Sequence, residues 1–322
     1  MIINCVIVGL GNVGMIYDHN DNSDLIQSHS KATSSHPHFN LLAGIDSVQK
    51  KRNLFEKNYK KLSFKNIEEF KSESHVDLVI VATPTETHLS IIKKSLKFLK
   101  PRMILCEKPL SYSFKDAEEI INLCKKSEVE LFVNYMRRCD PGVVEIKKKI
   151  DKKHIKSPVK GICWYSKGLY NNCSHFINLL EFWLGDFKEL KIITEGRILN
   201  NYDIEPEFFL AYEKGSIIFR SAWEEYFSFY NIEIISESGI LQYKYGGEQI
   251  NLYEVEDDNR FFGYKKIGEK NNKIKSGMKI YQYNVLEEIF KSCNGEDTTI
   301  CKGEEALKTQ RIIYLLSKNL RN

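Results

Sequence analysis

The chain has 322 residues, enough for about two domains with cores of their own. Hydrophobic residues at 42% and charged residues at 28% are ordinary globular usage, which excludes a disordered or fibrous architecture. Forty-seven Lys and Arg against 43 Asp and Glu leave a net charge of +4, too slight and too evenly spread to argue for a nucleic-acid partner.

No apolar run approaches the roughly 20 residues that a bilayer span needs, so no membrane partner is expected. The apolar residues at the N-terminus lack a preceding basic segment and are needed for a strand, so a signal peptide is not expected either. The eight cysteines are scattered singly, without C-x-x-C or metal-ligand spacing. They read as reduced, mostly buried thiols of a cytoplasmic protein, Cys173 included.

The first strand, ending at Val8, runs into Gly9, Gly11 and Gly14 with the spacing G-x-G-x-x-G. In a dinucleotide-binding turn the first glycine permits the tight bend, the second leaves room for a pyrophosphate, and the third lets a helix lie against the strand. The alternative is a simple tight turn. A helix is expected from Val13 to about Tyr17, its N-terminus offering N–H groups to phosphate together with Asn12 and Val13. Asp18 to Pro37 then reads as a long polar loop with room for a short helix. Its histidines His19, His29 and His36 are ten and seven residues apart and do not share a helical turn, so no metal site is expected.

A second strand, Asn40 to Ile45, ends in Asp46, placed to accept hydrogen bonds from the adenosine ribose and to repel a 2′-phosphate. This favours NAD, with NADP not excluded. Lys50, Lys51 and Arg52 can fold back on a phosphate or form the exposed side of a helix Val48 to Tyr59; the second is expected. A short strand Leu62 to Phe64 and a helix Ile67 to Lys71 lead to Val76 to Ala82, whose nearly continuous apolar residues suit a parallel strand covered on both faces. It opens into Thr83-Pro84-Thr85-Glu86-Thr87-His88, a polar turn where open α/β sheets bind ligand, which also caps a helix Leu89 to Leu99. Strand Met103 to Cys106 ends in Glu107-Lys108-Pro109, where a charged pair at a buried strand end needs a partner and the proline admits a cis peptide. Helix Phe114 to Ser127 and strand Glu130 to Asn134 complete a doubly wound sheet.

Helix Val143 to Ile150, a strand Val159 to Ser166 and a helix Phe176 to Leu184 follow. Strands are then expected at Glu189 to Glu195, Pro206 to Tyr212, Ser216 to Ala222, Phe227 to Ser236 and Ile240 to Tyr245, with Gly215 and Gly239 at hairpin turns. Alternation of apolar and polar residues there calls for an antiparallel sheet with one covered face. The aromatic residues Trp223, Tyr226, Phe227, Phe229 and Tyr230 suit either a sugar-stacking wall or sheet packing. Glu256 to Ser276 reads as a polar, lysine-rich hairpin or loop, and helices Tyr281 to Lys291 and Glu304 to Leu320 close the chain.

GLGNVG at 9–14, ATPTETH at 82–88, CEKPL at 106–110 and NYMRRCDP at 134–141 together resemble the glucose-fructose oxidoreductase, inositol dehydrogenase and MocA (Gfo/Idh/MocA) family. The resemblance implies a Rossmann dinucleotide-binding domain, 1–134, and an α+β substrate-binding and oligomerisation domain, 135–322, with a large, mostly antiparallel open sheet. It implies a nicotinamide cofactor facing a pocket between domains, a sugar-like substrate, and a homodimer or homotetramer formed through the second sheet. By the same resemblance Gly9, Gly11, Asn12, Val13, Gly14, Asp46, Thr83, Pro84, His88, Glu107 and Lys108 serve the cofactor, and Lys108 and His175 the reaction. Arg138, Lys167, Tyr170, Asn171 and Asn172 join them as substrate-positioning candidates. The family's D-x-x-x-H element is matched at His175, but Asn171 stands where the aspartate is expected, and an amide cannot take a proton.

Two functions therefore follow from the sequence: hydride transfer at a secondary carbinol, or a non-catalytic NAD-binding sensor or scaffold. For the first, His175 is favoured as acid/base and Lys108 as its electrostatic partner, over the reverse assignment. The amides of Asn171 to Ser174, with Lys167, lean toward a nucleotide-linked or acidic sugar of surface-glycan synthesis.

Overall fold

The computed structural model describes residues 1–18, 24–199, 203–222 and 226–319. His19, Trp223 and Leu320, considered above, lie outside them. The chain divides into two compact units, Met1–Cys139 with Lys279–Arg311, and Asp140–Met278 with the chain from Ile312 onward.

The first unit is built on β1 (Ile3–Val8), β2 (Phe39–Ile45), β3 (Leu62–Phe64), β4 (Leu78–Val81), β5 (Met103–Cys106) and β6 (Glu130–Val133). They lie in the order β3-β2-β1-β4-β5-β6 with every neighbour parallel. Successive strand residues point to opposite faces, and both faces here are cores. Val6, Val8, Val79, Val81 and Ile104 pack on one side with Ile92 and Ile120. Ile3, Cys5, Ile7, Leu78 and Ile80 pack on the other with Ala32 and Phe55. These helical residues come from α1 (His29–Ser35), α2 (Gln49–Tyr59), α3 (His88–Lys94) and α4 (Phe114–Lys126). The expected helix Leu89 to Leu99 is α3 followed by a π turn, Ser95–Leu99, and Ile67 to Lys71 shrinks to a 3-10 turn, Ile67–Glu69.

The helix expected from Val13 to Tyr17 does not form; a turn leads into a 3-10 turn, Ile16–Asp18. The reason is local. The buried Asp18 carboxylate accepts the N–H groups of Gln27 (2.6 Å) and Ser28 (2.9 Å), which folds the polar segment back, and the Ser28 hydroxyl then caps α1. Consequently α1 takes the place beside the glycines.

The second unit opens with α5 (Pro141–Asp151), β7 (Val159–Tyr165) and α6 (Ser174–Leu184). The strands β8 (Phe187–Ile198), β9 (Ile204–Tyr212), β10 (Gly215–Ser221), β11 (Asn231–Ser236), β12 (Gly239–Lys244), β13 (Gln249–Asp257) and β14 (Lys265–Ile274) join β7 in an eight-stranded sheet. Its order is β14-β13-β12-β11-β7-β10-β9-β8, antiparallel throughout except for β7 beside β10. The polar segment 256–276 is thus a hairpin whose strands extend the sheet. One face is buried, with Phe208 and Phe219 stacked at 4.5 Å and Trp183 of α6 edge-on to Tyr243. The other leaves Ile193, Ile218 and Ile235 exposed.

Two last helices, α7 (Tyr281–Cys293) and α8 (Gly303–Asn319), follow. Val285, Leu286 and Ile289 of α7 belong to the first unit's core with Ile3 and Ile7. All eight cysteines are free thiols, and burial pushes Cys173 well up, away from nucleophilic use. No described helix is long and apolar enough to cross a membrane.

Candidate active site at the carboxyl ends of the parallel strands

Where the first sheet stops, its departing segments stay bonded side by side. Ala82 N–H donates to Val8 O (2.8 Å), Glu107 N–H to Val81 O (2.9 Å) and Asn134 N–H to Cys106 O (2.8 Å). This rim, outside the carboxyl ends of parallel strands, is where open α/β sheets receive ligands.

Gly9 stands at φ +99°, and a Cβ there would lie 2.5 Å from Ala82 O; a Cβ on Gly14 would lie 2.0 Å from Gly9 O. Both glycines are demanded by backbone packing. Gly11 is different, because a Cβ on it would meet nothing within 4 Å. The N–H groups of Asn12 and Val13 have no acceptor among the described residues. Met15 and Ile16 N–H donate to Gly11 O and Tyr17 N–H donates to Asn12 O, turns that do not grow into an α-helix.

Asp46 is fixed at the end of β2. Its Oδ2 accepts Leu10 N–H at 2.8 Å and its Oδ1 accepts Val48 N–H at 2.9 Å, while Lys51 Nζ stands 3.4 Å away. The carboxylate keeps further lone pairs for ribose hydroxyls. Arg52, expected on an exposed helix face, is instead buried, donating to Asp46 O, Ser47 O and Gln49 Oε1. Its charge is spent on carbonyls at the close of β2, whereas Lys50 is exposed. Open loop amides beside an anchored carboxylate fit a dinucleotide: Gly11, Asn12 and Val13 would hold the pyrophosphate and Asp46 the ribose.

Thr83 and Pro84 line the next turn, where Thr87 Oγ1 donates within a 2.7–2.8 Å network to Pro84 O and Thr83 Oγ1. His88 is fully buried, its ring nitrogens 3.0 Å from Thr83 O and 3.2 Å from Leu110 O. Burial pulls its pKa down despite those carbonyls. It ties the Thr83 turn to the Lys108 turn. The Lys108–Pro109 peptide is cis, and Lys108 itself is half-buried.

Glu107 is held by His29 Nε2 (2.8 Å) and by the Asn134 amide (2.6 Å), both at Oε1. Burial pushes its carboxyl up, but the His29 and Asn134 hydrogen bonds and the Lys108 charge prevail and hold it below the usual range. Arg138 is also buried, its Nη2 2.6 Å from Glu305 Oε1 at the start of α8. Among the described residues no group of three or more His, Cys, Asp or Glu is arranged to hold a metal.

In the second unit Lys167, half-buried with φ +67°, leads into a π turn, Gly168–Cys173. The buried Asp203 carboxylate accepts Tyr170 N–H (2.9 Å) and Asn171 N–H (3.0 Å), and Glu205 accepts Gly168 N–H (3.1 Å). Arg197 Nε answers Glu205 at 2.6 Å. Tyr170 is buried with its hydroxyl 3.1 Å from Ser317 Oγ, whereas Asn171 is exposed and Asn172 half-exposed. His175, at 6% exposure, begins α6. The turn thus presents side chains, its backbone amides being taken.

Residues 3–135 match the oxidoreductase family GFO_IDH_MocA, with its NAD-binding Rossmann fold. The match spans the parallel sheet of the first unit, from β1 through β6. Among curated relatives, scyllo-inositol 2-dehydrogenase (NAD+) of Bacillus subtilis is 32% identical over 141 residues, 39% of this chain and 40% of that protein. The chain thus matches about two fifths of that relative's length. The aldose-aldose oxidoreductase of Caulobacter crescentus, crystallised with glycerol, superposes with a TM-score of 0.79 at 15% identity, over 100% of this chain and 98% of its own. The WlbA dehydrogenase of Bordetella pertussis, in complex with NADH and UDP-GlcNAcA, gives 0.70 at 14% identity, over 100% and 97%. These two likenesses are of fold, and they cover both sheets.

His29, Asn134 and Asp203 were not singled out as site residues by the sequence. His29 was weighed only as a metal ligand. Its partner Glu107 lies 78 positions away, and no local spacing announces the pair.

Proposed function

We propose that this protein transfers a hydride between NAD and a secondary carbinol of a sugar-like substrate. The observation that carries the reading is the rim of the first sheet, where the open Gly11–Val13 amides, the anchored Asp46 and the Glu107-Lys108-Pro109 turn all leave strand ends. When bound, NAD supplies the hydride acceptor. The chain's own residues do the rest. Asp46 favours a ribose with free hydroxyls over one bearing a 2′-phosphate, by charge repulsion. His175 takes the hydroxyl proton, a role open to an imidazole as the side chain best suited to exchange protons near neutral pH. Lys108, as an ammonium, stabilises the alkoxide charge that grows as that proton leaves.

With the turn amides of 168–171 occupied by Asp203 and Glu205, the side chains of Lys167, Asn171 and Asn172 remain to position hydroxyl or acidic groups of the substrate. A nucleotide-linked or acidic sugar is the finer reading, supported by Lys167 and by a fold shared with a dehydrogenase bound to UDP-GlcNAcA. The exposed isoleucines of the second sheet support assembly of copies through that face.

The test is an NADH fluorescence titration, then NAD+ turnover on scyllo-inositol, myo-inositol and UDP-GlcNAcA. Lys108→Ala should cut turnover at least ~100-fold while leaving NADH affinity within about threefold, and the Lys108→Ala/His175→Ala double variant should lose little more than the worse single. Tight NADH binding without turnover on any of the three compounds would favour a sensor or scaffold. No NADH binding at all would end the reading.

A further inference from the structure

His29 sits on α1, the helix delivered by the folded-back polar segment, and is 1% exposed. Its backbone N–H donates to Val13 O at 2.9 Å, and the next hydroxyl, Ser30 Oγ, donates to Gly14 O at 2.7 Å. Its ring reaches in the other direction, to Glu107 Oε1. Asn134 donates to that same oxygen and is itself braced by Gln282 Oε1 at 3.1 Å. One short helix therefore touches both the glycine loop and the residue that precedes Lys108.

We propose that His29 is a positioning residue, which through Glu107 sets the direction from which a carboxylate charge acts on Lys108. The inference rests on the reading of Lys108 given above. An oxygen that accepts two hydrogen bonds from buried donors on separate elements is pinned, because rotating it away would leave both donors unsatisfied. Glu107 stays anionic at neutral pH, and its charge is felt by Lys108, His29, His88, Tyr281 and Cys106. Of these Lys108 is the cation next in the chain. Without the His29 donor the carboxylate is held at that oxygen by Asn134 alone and can turn toward that ammonium, and a closer opposite charge raises an amine's pKa.

Reductive methylation of Lys108 in the full chain, followed by mass spectrometry across a pH series, reads this directly and needs no substrate. His29→Ala should move the labelling midpoint up by about half a pH unit or more, a roughly threefold slower labelling below the midpoint. His29→Gln, which keeps a donor near the same place, should hold the midpoint within about 0.2 units of wild type, and adding Glu107→Gln to His29→Ala should abolish the rise. A His29→Ala midpoint that does not move, a rise that survives Glu107→Gln, or a change in labelling that is equal at every pH would each overturn the proposal. NADH titration of the wild type is the separate control. If NADH fails to bind or to shield Lys108, the oxidoreductase reading falls while the midpoint result still decides the role of His29.

Discussion

The two units each contain a tight turn rich in backbone N–H groups, and they treat those groups in opposite ways. At Gly9 to Gly14 the amides of Asn12 and Val13 have no acceptor among the described residues, and a Cβ on Gly11 would meet nothing within 4 Å. At Gly168 to Cys173 the equivalent donors are consumed by two buried side chains: Asp203 takes those of Leu169, Tyr170 and Asn171, and Glu205 takes that of Gly168. A Cβ on Gly168 would fall 2.1 Å from Asp203 Oδ2, so no room remains there. The lesson is that a turn becomes an anion site only where the fold withholds its own carboxylate.

The largest effect should come from taking the internal anion away. Asp203→Ala strands several buried N–H groups, and urea unfolding should show a loss of about 2–4 kcal/mol, with NADH affinity unchanged because the open loop belongs to the other unit. A stable Asp203→Ala protein would erase the contrast. The reverse experiment is Gly11→Ala, which adds a methyl group to empty space. Stability should stay within about 0.5 kcal/mol, while NADH affinity drops roughly tenfold or more. Unchanged affinity would mean the open amides are not the phosphate cradle.

The smallest effect concerns pH. Burial lowers the pKa of His88 below the ordinary 6.5 despite its two carbonyl neighbours, so its neutral form is what the folded state holds. Its contribution to stability is present above that ordinary value and is lost as pH falls through the folded pKa. Burial raises the Asp203 carboxyl above the ordinary 3.8 although several backbone N–H groups oppose it. Its contribution runs the other way, complete below that value and lost as pH rises through the folded pKa. Hydrogen exchange at about pH 7 and about pH 5, corrected for intrinsic rates, should therefore show residues 83–88 losing protection in acid while 168–171 do not. Equal losses in both would show that global unfolding, not these groups, sets the response.

Much of the first unit was legible because a parallel sheet covered on both faces writes itself as apolar runs, Leu78–Val81 and Met103–Cys106 among them. The glycine spacing and Glu107-Lys108-Pro109 were legible for the same reason: they immediately follow such runs. What escaped depended on partners that no helical or strand spacing announces. The helix expected at Val13 to Tyr17 gave way because Asp18 captures Gln27 and Ser28. Arg52 read as surface because nothing local shows that Asp46 O and Ser47 O need a donor. His88 read as a cofactor contact, yet both its nitrogens face main-chain carbonyls, one of them 22 positions away. Polar edge strands are equally silent, and β14, with Glu269, Lys270, Asn271, Asn272 and Lys273 in succession, carries no alternation to betray it.

The return of Lys279–Arg311 to the first unit governs the order in which this protein is made. Val285, Leu286, Ile289 and Ile300 close a hydrophobic face that begins at Ile3. On the ribosome, Ile3 and Ile7 must wait with that face uncovered until Val285 to Ile300 have emerged. The first unit is therefore not complete until its second segment, Lys279–Arg311, has been made, and a fragment cut after Cys139 lacks a wall of its own core.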